Sequence, residues 1–66
     1  MENTAWVLFH KDDVSGVYTS YRQAIHALMM RAALPIYNFS SELGVDCYQD
    51  GNNSSWMIEE FELDKI

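Results

Sequence analysis

Cysteine occurs once in the 66 residues, at Cys47. No intrachain disulfide can form, and a zinc site built on several thiolates is excluded. A reducing compartment, the cytoplasm, fits best. Lysine and arginine together number 4. Affinity for phosphates comes from clustered cations, so direct binding of nucleic acid is disfavoured. The 3 glycines are widely separated and give no phosphate-cradling loop. The apolar run Trp6 to Phe9 is far shorter than a signal-peptide core or a membrane span, and Met1-Glu2-Asn3-Thr4 lacks a basic region.

Against these absences, 48% of the residues are hydrophobic and 14% aromatic, too apolar for a disordered tail. One small domain over residues 1–66 is expected, with a core that supplies only about 3–5 kcal/mol. The net charge of −6 is unevenly spread. Up to residue 41, Glu2, Asp12 and Asp13 balance Lys11, Arg22 and Arg31. Beyond it, Glu42, Asp46, Asp50, Glu59, Glu60, Glu62 and Asp64 face Lys65 alone.

The run Thr4 to His10 is β-branched and aromatic and reads as a strand. Lys11 to Ser15 is a turn, with Gly16 available for any positive φ, and Gly16 to Thr19 a short second strand. Ser20 and Gln23 have the capping-box spacing, which starts a helix at Tyr21. Tyr21, Ile25, Leu28 and Ala32 share its buried face, Arg22 and Arg31 face water, and Pro35 bars continuation past Ala33. Residues 36–44 show neither period and are expected as a packed connection with a helical turn at Ser41 to Leu43. Val45 to Asp50 and Ser55 to Leu63 read as a second hairpin. Phe61 and Leu63 fall out of phase with Trp56 and Ile58, so a bulge at Glu59-Glu60 is expected to return them to the buried side, the rival reading being a strand buried on both faces near its ends. The fold class is therefore α+β: a four-stranded antiparallel sheet in the order β-β-α-β-β, one helix on one face, and the first and last strands adjacent in the middle.

Catalytic and metal-binding constellations are weak. Asp50-Gly51-Asn52-Asn53-Ser54 resembles the opening of a calcium loop, but Ser55 stands where that loop needs glycine and Phe61 where it needs a bidentate glutamate. A hairpin turn explains the same residues. His10, His26 and Cys47 lack zinc-site spacing and read as two surface histidines and a buried thiol. Cys47 also lacks the helix N-terminus or glycine elbow that activates a nucleophile. No enzyme, cofactor or metal is expected.

The acidic cluster remains. Glu59, Glu60, Glu62 and Asp64 lie within six residues at and just beyond the end of the last strand, and Asp46 and Asp50 in the strand expected to pair with it. One reading is a solvated face that keeps a small domain soluble. The other is a patch that docks on a basic protein surface, with carboxylates standing in for phosphates.

Three segments carry a family resemblance: Trp6-Val7-Leu8-Phe9; Gly16-Val17-Tyr18-Thr19-Ser20 running into a helix with Ala24; and Trp56-Met57-Ile58-Glu59-Glu60-Phe61-Glu62-Leu63-Asp64. Together they resemble a group of short, uncharacterised proteins of bacteria and their phages. The resemblance implies an accessory gene product, of the kind that inhibits host or defence enzymes, and no catalytic residue. The function expected is a non-enzymatic protein-binding module that meets a larger basic protein, such as a nucleic-acid-binding enzyme, through Glu59, Glu60, Glu62, Asp64, Asp46 and Asp50. The alternative is a homo-oligomer joined through a sheet edge or face, to be favoured by exposed apolar area opposite the helix.

Overall fold

The computed structural model describes residues 4–63. Its elements are β1 (Thr4–His10), β2 (Asp13–Tyr18), α1 (Tyr21–Arg31), β3 (Tyr37–Glu42), β4 (Val45–Gln49) and β5 (Ser55–Glu62). The strands form one antiparallel sheet in the order β2-β1-β5-β4-β3. The α+β class and the adjacency of β1 and β5 agree with the expectation. The sheet, however, has five strands rather than four.

The extra strand is β3, which replaces the connection and helical turn expected over 36–44. Two local features hide its period. Its register against β4 shifts between Asn38 and Ser40, which throws Phe39 out of alternation, and as an edge strand it is largely exposed on both faces. Such a strand carries no buried apolar row to read. Leu43 and Gly44 then close the hairpin, with Gly44 at φ 79. That is the left-handed region which glycine enters without steric cost.

The first hairpin is also tighter than expected. His10 pairs with Asp13, so only Lys11 and Asp12 form the turn, and Lys11 rather than Gly16 takes the positive φ, at 59. The bulge expected at Glu59-Glu60 is absent. β5 pairs residue for residue with β1 from Thr4↔Glu62 to His10↔Trp56, and with β4 from Val45↔Glu59 to Gln49↔Ser55. The irregularity lies instead in β1–β2, where Leu8 pairs with Gly16 but Phe9 with Val14.

The Ser20 hydroxyl accepts the Gln23 amide N–H at the start of α1, while the Gln23 side chain reaches one residue further back than a capping box requires, to the Thr19 N–H and hydroxyl. The helix ends at Arg31, two residues earlier than expected, with Ala32 already extended. It lies over β1, β2 and β5. Between helix and sheet, Leu8, Ala24, Leu28, Tyr48, Trp56 and Ile58 form the core, with Tyr21, Ile25 and Ala32 partly buried around it. Leu8, Leu28 and Ile58 are fully enclosed. Deleting such side chains typically costs about 2–5 kcal/mol.

Candidate functional site

An unbroken β5 sends successive side chains to opposite sides of the sheet. Trp56 and Ile58 enter the core beneath α1, so Glu60 and Glu62 share that side, while Met57, Glu59 and Phe61 face the other. The expected acidic patch is thereby divided.

On the helix side, Glu60 lies opposite Trp6 on β1, and Glu62 opposite Thr4. Asp46 lies opposite Ile58, one diagonal step from Glu60. Steps along and diagonally across a sheet are about 7 Å, so the three carboxylates form one short acidic row. Aromatic side chains line it. Trp6 and Tyr21 meet edge to face with centroids 5.5 Å apart, and the Tyr21 and Tyr48 hydroxyls share a hydrogen bond. Burial raises both phenol pKa values. For Tyr21 the bond to Tyr48 adds to that rise, whereas for Tyr48 the same bond works against it, and Asp46 beside the pair raises both.

Asp50 belongs to no surface. It is buried at 5% exposure, and its carboxylate accepts the backbone N–H groups of Ala33, Asn52 and Ser54 and the Trp56 indole N–H at 2.9–3.2 Å. Burial by itself would raise its pKa, but the donors from Ser54, Trp56, Ala33 and Asn52 together outweigh this and pull it down to about 2. Its assignment to the docking patch is thus corrected: Asp50 organises the β4–β5 loop. Asp64 lies outside the described residues.

Glu59 stands apart on the open face. Its cross-strand neighbours are Val7 and Val45, and Met57 and Phe61 flank it along β5. Ala5, Phe9, Val14, Val17 and Cys47 extend an apolar field over β2, β1 and β5, which gives way towards β3 to the polar residues Ser40, Glu42, Gln49 and Ser55. Cys47, expected to be a buried thiol, is half-buried here. The sequence signal was present in β1, where Ala5-Trp6-Val7-Leu8-Phe9 has no polar residue and so furnishes two apolar faces at once.

The cations gather elsewhere. Arg22, His26 and Arg31 line a shallow groove between α1 and β2, together with Tyr18, Ala27 and the exposed Met30. Arg31 donates to the Tyr18 hydroxyl at 2.6 Å. His10, expected at the surface, is half-buried and stacks on Trp56 with ring centroids 4.0 Å apart. Among the described residues, no three His, Cys, Asp or Glu side chains are grouped to hold a metal ion, and no helix is long and apolar enough to cross a membrane. Comparison of the chain with protein-family models, curated proteins and solved structures finds no match.

Proposed function

We propose that the chain is a non-enzymatic protein-binding module that docks through its carboxylates on a basic surface of a larger protein, in the manner of a phage- or mobile-element-type modulator acting in the cytoplasm. The observation that carries this reading is the segregation of charge. Asp46, Glu60 and Glu62 line one side of the sheet beside Trp6, Glu59 and Glu42 stand on the other, and no described strand contains a lysine or arginine. Such a surface steers and selects a cationic partner, and aromatics beside it supply anchoring area. A nucleic-acid-binding enzyme offers a suitable basic surface, with carboxylates taking the position of phosphates.

The test is affinity capture from bacterial lysate by the full chain and by the Glu59→Lys/Glu60→Lys double variant. Capture by the parent that weakens as salt is raised, together with none by the variant, is the expected result. Equal capture by both would refute the reading. The alternative, a homo-oligomer, has one observation in its favour: the apolar face opposite the helix.

A further inference from the structure

A sheet covered on one side ordinarily turns polar side chains to the other. Here the uncovered side has Val7, itself only 8% exposed, with half-buried Phe9, Val45 and Met57 around it, and at its rim Val14, Val17 and Phe61 are 59%, 62% and 40% exposed. A contiguous apolar area of this kind marks a contact surface. The apolar part of this face spans about three strands, which at about 4.8 Å apart and about 20 Å long cover roughly 300 Å² in projection, and more once corrugated by side chains. Specific interfaces bury about 800 Å² per partner, and weak ones less than about 600 Å². The face is large enough for a reversible complex.

Glu59 decides what covers it. Glu59 is a half-buried residue with Val7 and Val45 as its cross-strand neighbours, no cation among the described residues pairs with it, and Glu42 lies beyond Val45 on the same face. A second copy of the chain would lay another Glu59 against this face and bring no strand-borne lysine or arginine to meet it, while two net charges of −6 repel. Two apposed carboxylates in an apolar setting are strongly disfavoured, whereas a cation there gains both a partner and low-dielectric surroundings. Resting on the protein-binding reading above, we infer that the open face docks a partner surface that is apolar around a single lysine or arginine, and that this cation pairs with Glu59.

Glu59 and Glu60 are consecutive yet face opposite sides, which makes the test selective. A random-peptide display library is selected on the full chain, and the enriched peptides are titrated against the parent, Glu59→Gln, Glu59→Lys and Glu60→Lys, each verified as folded by circular dichroism. Enriched peptides should combine apolar residues with lysine or arginine. Their affinity should fall roughly tenfold or more for Glu59→Lys, less for Glu59→Gln, and hold for Glu60→Lys. Enrichment of cation-free peptides, or of none, would overturn the inference. Loss with Glu60→Lys alone would overturn it too, moving the contact to the acidic row and leaving the protein-binding reading intact. Indifference to every variant would remove both, and a dimer dissolved by Phe61→Lys would show that the occupant is a second copy.

Discussion

The Asp50 carboxylate joins the helix exit at Ala33, its own loop at Asn52 and Ser54, and the core at Trp56. Its pKa is about 2 in the fold against an ordinary 3.8, so its contribution to stability is complete above the ordinary value and is lost as pH falls from 3.8 towards 2. Thermal melts across this range should show a steep acid loss that Asp50→Ala abolishes, and at neutral pH that variant should lose more melting temperature than Glu60→Gln. The Tyr21–Tyr48 pair acts at the other end of the scale. Both phenols are held above the ordinary 10.0, so above that pH the unfolded chain releases protons the fold retains, and stability falls as pH rises. Phenolate absorbance should reveal delayed titration of two tyrosines, and Tyr21→Phe should make the alkaline loss of stability shallower.

At the scale of elements, the loop after β4 depends on close backbone approach. A Cβ on Gly51 would stand 2.5 Å from the Leu34 carbonyl oxygen, where the Gly51 N–H donates to the Ala33 carbonyl at 2.6 Å. Neither neighbour is a side chain that can swing aside. Gly51→Ala should therefore cost about 1–3 kcal/mol, read from the denaturant midpoint at unchanged slope. The elements legible in the sequence are those with an unambiguous buried face or punctuation: β1, α1 between Ser20 and Pro35, and the hairpin around Gly51. β3 was illegible because Phe39 is bulged and neither of its faces is buried. The two faces of β5 were misread because an out-of-phase Phe61 suggests a bulge when the second face is assumed to be polar. Asp50 looked like one more surface acid, since nothing in its spacing reveals that four donors surround it.

Across the whole molecule, charge and apolar surface are segregated. Arg22 and Arg31 line the α1–β2 groove, an acidic row follows β5 and β4 on the helix side, and the opposite side is apolar over β2, β1 and β5 around Glu59 and polar towards β3. The sheet thus has a buried face that stabilises the fold and an open one that a monomer of this size leaves uncovered. Unpaired carboxylate and excess negative charge both oppose covering it with a second copy. Sedimentation equilibrium of the full chain over a wide concentration range tests this most directly. A single species of 7.7 kDa at every concentration is expected; a concentration-dependent dimer that Phe61→Lys dissociates would contradict the account.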